Sequence, residues 1–296
     1  MRFEYLQPLT LQETAALLAE YDGEAKIIAG GTDLINLIRT KAVRPHYVVD
    51  IGRITGLDQV KYDNDGALSI GALATLRSLE TSKGIKQRHP VIAQAAAQLG
   101  SVAIRNVGTI GGNLCHASPA ADTVPSLIAL GSTVKIHGPA GERRVRLEEF
   151  FTAPGQTVLQ RGEILTEVCV PPMPSDSKGV YLKHASRGAA DLAIVGVAVV
   201  ATVDGGCCRG LKIALGAVAP TPIRAGDAEK VLDGKAINDA LIEQAAQAAA
   251  DESRPITDVR ASADYRREMV KVFTQRAVRD AIARKNEGRN ETSALF

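Results

Sequence analysis

The chain holds 296 residues, 45% of them hydrophobic and 23% charged, a globular balance with material for about two packed cores. A net charge of +2 and an aromatic share of 4% without tryptophan exclude the basic surface and the stacking platform of a nucleic-acid binder. The longest apolar run, at 192–201, is about half of what a bilayer crossing needs, so no membrane span is expected.

The opening MRFEYLQPLT carries Arg2 and Glu4 and is expected to be neither a secretory nor a twin-arginine signal. Thr10 and Glu13 form a capping box, and Ala15, Leu17, Leu18 and Tyr21 supply the apolar face of a first helix. A strand at 26–29 runs into Gly30-Gly31, and Thr32 or Asp33 is placed to cap a helix over about 34–41. Strands at 46–51 and 67–71 and a helix over about 91–99 continue a βαβ rhythm, which describes an α/β unit. Past Gly108, Gly111 and Gly112, a helix near 123–130 precedes strands at 133–137, 143–147 and 164–170. The run PPMPSD at 171–176 stops both ladder and helix and reads as a linker.

Beyond the linker the pattern changes. Strands are predicted at 180–184, 194–203 and 211–218, with Asp204-Gly205-Gly206 turning an antiparallel pair and Cys207-Cys208 exposed just after it. The rest is helical: Tyr265, Met269, Val272, Phe273, Ala277, Ala281 and Ile282 share a face, with Arg266, Lys271, Arg279 and Arg284 outside it. Strands first and helices after predict an α+β second domain. The expected division is 1–174, itself split near 57–60, then 175–285 and a polar tail at 286–296 that frays or docks on a partner. Cysteines stand only at 115, 169, 207 and 208 with no C-x-x-C pair. This chain therefore offers no recognisable zinc or iron–sulfur ligand set, and cytoplasmic localisation is expected.

The chemistry concentrates in two glycine turns, Ala29-Gly30-Gly31-Thr32-Asp33 and Gly108-Thr109-Ile110-Gly111-Gly112-Asn113. Adjacent glycines permit positive φ and let backbone N–H groups converge on an anion. One such turn holds one phosphate, and two close on a pyrophosphate from both sides, so a dinucleotide is the natural ligand. Neither turn is a Rossmann fingerprint or a P-loop, and a single Gly-Gly pair is ordinarily just a tight turn.

KIIAGGTDL (26–34), RNVGTIGGNLCHASPAAD (105–122), KHASRGAADLAIVGVA (183–198) and LGAVAPTPIRA (215–225) strongly resemble the FAD-binding medium subunits of the molybdenum hydroxylases, the xanthine dehydrogenase and carbon monoxide dehydrogenase family. The resemblance covers nearly the whole chain. It implies an α+β fold with a two-lobed FAD-binding domain of the vanillyl-alcohol-oxidase type, followed by a smaller domain of antiparallel sheet plus helices. It also implies non-covalent FAD. Carried over by position, Lys26, Ile27, Ile28, Ala29, Gly30, Gly31, Thr32 and Asp33 form one FAD loop, and Gly108, Thr109, Ile110, Gly111, Gly112 and Asn113 form the other. Asp122 matches a carboxylate set against FAD hydroxyls, Ile164 an apolar contact to the adenine portion, and Lys183 a lysine near the flavin.

Plainer readings stand beside these. Asp122 is placed to cap the helix from Thr123, and Lys183 on its strand reads equally as a solvent-facing lysine. Cys115-His116 suggests a flavin attachment or a ligand, or simply a small buried thiol and a turn histidine. The segment 187–191 matches a loop that gates the flavin edge or merely joins two strands.

As an enzyme the resemblance implies an oxidoreductase subunit that does not act on substrate alone. Substrate reacts at a molybdenum–pterin centre in a large subunit, and electrons pass through two [2Fe–2S] clusters of a small subunit to FAD. They leave to NAD, oxygen, a quinone or another carrier, in an assembly expected to be a dimer of heterotrimers. The alternatives are a self-contained flavin oxidase on the same fold and a scaffold subunit that has lost its flavin.

Overall fold

A computed structural model describes residues 2–188 and 190–283; Arg284 and the tail at 286–296 lie outside them. The first lobe is built from β1 (Glu4–Leu6), α1 (Leu11–Glu20), β2 (Ala25–Ile28), α2 (Leu34–Arg39) and β3 (Tyr47–Asp50), with a parallel sheet in the order β1-β3-β2. The capping box is real: Thr10 Oγ1 accepts from Glu13 N, and Leu9 N donates to the Glu13 carboxylate. No side chain caps α2, so Thr32 and Asp33 do not serve as expected there.

The second lobe opens with β4 (Val60–Tyr62) and β5 (Leu68–Gly71), and then runs through a series of short helices. These are α3 (Leu76–Thr81), α4 (Lys83–Arg88), α5 (Pro90–Gln98), α6 (Val102–Val107), α7 (Ile110–His116) and α8 (Thr123–Ala129). It continues with β6 (Thr133–Gly138), β7 (Gly141–Arg146), α9 (Leu147–Phe150), β8 (Phe151–Ala153), β9 (Gln156–Thr157) and β10 (Ile164–Val170). Its sheet is antiparallel, in the order β4-β5-β10-β6-β7. The α/β rhythm thus belongs to the first lobe alone.

After the proline run come β11 (Ser177–His184), β12 (Val195–Asp204), β13 (Cys207–Cys208), β14 (Lys212–Gly216), β15 (Ile223–Arg224), α10 (Gly226–Leu232), α11 (Asp239–Glu252) and α12 (Ala263–Ile282). The third sheet, β11-β12-β14-β15, is antiparallel and buried on both faces. Val195, Val197, Val199 and Ala201 of β12 enter one core with α10–α12, while Ala198 and Val200 enter the core of the second lobe. This explains why β12 reads as a continuous apolar run rather than an alternating one. Tyr181 of β11 shares the face that meets the second lobe, and the period of two puts Lys183 beside it.

Two expectations shift. Cys208 is fully buried and Cys207 half-buried, because the hairpin folds against the 234–236 segment (Gly234 N donates to Cys208 O, Cys208 N to Lys235 O). Burial pushes the Cys208 thiol up to about 11. The buried stripe of α12 also runs one position on from the apolar face, through Arg266, Val270, Thr274, Ala277, Val278 and Ala281. Arg266 is 2% exposed; its guanidinium donates to Ile194 O, Ala217 O and the Asp258 carboxylate, which is why a charged residue heads an inward stripe. Among the described residues, no helix is long and apolar enough to cross a membrane.

Candidate cofactor cleft

The first glycine turn leaves β2 at its C-terminal end and leads into α2. Gly31 has φ +70°, a conformation that favours glycine. Gly30 lies so close to the second turn that a Cβ would run into the Val107 carbonyl. Among the described residues, the backbone N–H groups of Gly30, Gly31, Thr32 and Asp33 have no protein partner. Successive free N–H groups in a glycine turn form an anion-binding concavity.

The second turn differs from the expectation. Gly111 and Gly112 belong to α7, which Thr109 caps: Gly112 N donates to Thr109 Oγ1 at 3.1 Å, while Gly108 ends α6. Ile110 N donates to Ala74 O, Gly111 N to Ala72 O and Asn113 N to Thr109 O. These N–H groups are therefore spent within the protein and do not converge on an anion. Gly111 is needed for helix packing: a Cβ there would stand 2.7 Å from both Cβ and O of Ala72. Gly108 lies against the first loop, its Cα 2.9 Å from a Cβ built at Gly30, and Thr109 and Asn113 also line the cleft.

Both segments wall a cleft of about 950 Å³, the upper end of the range for small-molecule sites. Of the residues singled out in sequence, Ile28, Ile110 and Lys183 do not line it, and the others do, Asp122 and Ile164 among them. Ile110 is a core residue with no exposure.

Asp122 makes no capping bond to α8, which removes the capping reading. Its carboxylate accepts from Lys183 Nζ at 2.8 Å and from the Tyr181 hydroxyl at 2.8 Å, and Lys183 Nζ also donates to Gln98 O at 3.0 Å. The side chains of Lys183 and Asp122 are 7% and 6% exposed, so Lys183 is no surface lysine. It faces the cleft only through Asp122. Burial pushes the Asp122 carboxyl above its usual range, while the Lys183 ammonium and the Tyr181 hydroxyl pull it back. Burial and the neighbouring Asp122 charge drive the Tyr181 phenol well up. Tyr181 escaped the sequence reading, although its place two residues before Lys183 on one strand is the signal that would have found it. Gly196, across the sheet, leaves room for its hydroxyl: a Cβ there would lie 2.8 Å from it.

Cys115 is open to the cleft but walled by protein, and burial pushes its thiol up to about 12. A thiol so far from ionisation is a poor nucleophile, which argues against a flavin attachment, although Cys115 is exposed and not the buried thiol of the plain reading. His116 stands 3.8 Å from Asp33 at the cleft wall.

Residues 1–173 match the family described as the FAD binding domain in molybdopterin dehydrogenase, and residues 180–281 match the CO dehydrogenase flavoprotein C-terminal domain. The glyceraldehyde dehydrogenase medium chain of Sulfolobus acidocaldarius is 34% identical, with 94% of this chain and 98% of the relative covered. The xanthine dehydrogenase FAD-binding subunit of Escherichia coli is 32% identical over 94% of this chain and 96% of its own. In three dimensions, a chain of the carbon monoxide dehydrogenase from Hydrogenophaga pseudoflava superposes with a TM-score of 0.92 at 34% identity, over 95% of this chain and 97% of that one. The loop geometry, the two-domain order and these matches agree: the chain belongs to the FAD-binding, medium-chain flavoprotein family of the molybdenum hydroxylases.

Proposed function

We propose that this chain is the electron-relaying subunit of a cytoplasmic molybdenum hydroxylase, working beside a large molybdenum–pterin subunit and a small subunit with two [2Fe–2S] clusters in a dimer of heterotrimers. FAD, held without a covalent bond, supplies the redox chemistry that side chains lack. The chain's own residues bind and orient it. The free N–H groups of Gly30, Gly31, Thr32 and Asp33 take the pyrophosphate, and Gly108 and Thr109 close over it. Asp122, held by Lys183 and Tyr181, presents its carboxylate to FAD hydroxyls, while Ile27 and Ile164 flank the adenine.

The observation that carries this reading is the row of unpaired N–H groups opening on a cleft of about 950 Å³. It also favours the relay over a scaffold that has lost flavin, since the cradle is intact. Relatives named for glyceraldehyde and for xanthine fit a division of labour in which substrate choice lies in another subunit. Residues 1–174, split near 57–60, and 175–285 are the domains of this reading, with the proline run at 171–176 between them.

Gly31→Val tests it, because a branched side chain resists φ +70° and presses on Ile35 and Ile28, which reshapes the loop whose N–H groups would hold the phosphate. The purified variant is expected to lose its flavin absorbance while keeping its fold by circular dichroism. Full flavin occupancy in that variant would refute the loop assignment.

A further inference from the structure

The helix α6 has almost no interior of its own. Among its residues, all of them described, Arg105 alone is buried, at 7% exposure, while Val102, Ile104 and Val107 stand 48%, 39% and 50% exposed. A helix this short does not hold itself together in water, and the cap from Ile104 N to Ser101 Oγ serves only one end. What fixes it is the Arg105 guanidinium. Nε and Nη2 donate to the two carboxylate oxygens of Glu80 on α3, at 2.7 and 3.3 Å. Nη1 donates to Leu99 O at 3.0 Å and to Gly100 O at 2.9 Å. Only a planar fork of donors reaches a carboxylate and two carbonyls at once.

These bonds tie together two walls of the cofactor cleft. Leu99 and Gly100 follow the end of α5, where Gln98 O accepts from Lys183. Three successive carbonyls at that helix end are therefore held by two cations, one from each domain, where the helix dipole favours positive charge. On its other side Arg105 leads within two residues to Val107, whose carbonyl a Cβ at Gly30 would run into, and then to Gly108. Leu99, Gly100, Ile104 and Gly108 all line the cleft, and Arg105 itself does not.

We propose that Arg105 is a positioning residue for the cofactor. Without touching it, the guanidinium sets the Val107–Gly108 corner against the first glycine loop and holds the end of α5 to which Lys183 is anchored. This inference rests on the FAD reading above. A pair with Glu80 that only stabilised the lobe would affect unfolding and leave the affinity of the folded chain untouched.

The test titrates the flavin-stripped full chain with FAD and with ADP, below the unfolding temperature of each variant. Arg105→Met keeps the stem and removes the guanidinium. Arg77 Nη1, 2.9 Å from Glu80 Oε1, still pairs the carboxylate, so no charge is stranded. This variant is expected to weaken both ligands on the order of tenfold, the contribution of one charged hydrogen bond. Arg105→Lys keeps the charge without the fork and is expected to fall between Arg105→Met and wild type. Arg224→Met is the control: it breaks another fork, to Glu229 at 2.8 and 2.6 Å, and neither residue lines the cleft. It is expected to lose stability and retain both affinities. Wild-type affinity in folded Arg105→Met overturns the positioning role, and so does an equal loss of affinity in Arg224→Met. Should Arg105→Met fail to fold, wild-type affinity in Arg105→Lys overturns it instead. A wild-type chain that binds neither ligand would sink the cofactor reading itself.

Discussion

Lys183→Met isolates the buried pair on which the wall of the cleft depends. The substitution keeps most of the apolar stem and removes the ammonium, leaving Asp122 with the Tyr181 hydroxyl as its remaining side-chain donor. The stranded carboxylate has two courses. Remaining ionised as an unpaired buried charge costs about 3–5 kcal/mol. Taking up a proton costs about 1.36 kcal/mol for every unit between the pH and the unfolded-state value near 3.9, or roughly 4 kcal/mol at pH 7. At neutral pH the two are comparable, but only protonation becomes cheaper with acid, falling to about 1.5 kcal/mol at pH 5. The direction follows from linkage. Burial already holds the Asp122 carboxyl above its usual range, and loss of the ammonium raises it further. A raised carboxyl gives stability that is full below its unfolded-state value and is lost as pH rises toward the folded one. Urea unfolding of the full chain is therefore expected to show a deficit of about 3–4 kcal/mol at pH 7 and about 1–2 kcal/mol at pH 5. Adding Asp122→Asn is expected to restore most of the loss at pH 7. A deficit equal at both pH values and untouched by the second substitution would mean that the pair does not govern this region.

Tyr181→Phe removes the second donor to Asp122 and is expected to cost about 1–2 kcal/mol in urea unfolding; no loss would mean that the hydroxyl is not needed to hold the carboxylate. Gly111→Val forces a side chain onto Ala72 and is expected to lower stability by about 1–3 kcal/mol together with flavin content. Unchanged stability of Gly111→Val would contradict the assignment of Gly111 to packing. His89 is 1% exposed, with its Nε2 3.2 Å from Pro171 O and its Nδ1 3.0 Å from the Tyr62 hydroxyl; burial holds its pKa below the usual value. A depressed histidine lends stability above its unfolded value near 6.5 that is lost as pH falls through the folded value. His89→Gln should flatten the stability profile between pH 7 and 5, and an unchanged slope would assign that slope to other groups.

The parts of the molecule legible in sequence are those whose cause is local. The capping box at Thr10, the glycine turn after β2 and the apolar run of β12 each carry their own explanation within a few residues. The short helices α3, α4 and α6 were not legible: at six residues each, they are too brief to establish an amphipathic period. Their caps at Thr75, Ser82 and Ser101 were the available clue. Gly111 misled for a related reason. Side by side with Gly112 it looks like a turn, whereas its missing side chain answers to Ala72, 39 positions earlier, and nothing near it in the chain says so.

The same distinction separates two kinds of residue in the cleft. Those expected to touch cofactor lie in two compact motifs, at 26–33 and 108–113, and could be read because each motif is continuous. Asp122, expected to touch cofactor from outside both motifs, is held across the domains: it stands on the first, and Tyr181 and Lys183 project from β11 of the second. Gln98 O completes the arrangement from the end of α5. A carboxylate buried to this degree is held in its charged form by its ammonium partner, and loss of that partner shifts it toward the protonated form. Docking of the second domain is therefore a condition for the charge state of a wall of the cleft. The smaller domain does more than cover an apolar face, because without β11 the Asp122 carboxylate would have neither of its side-chain donors.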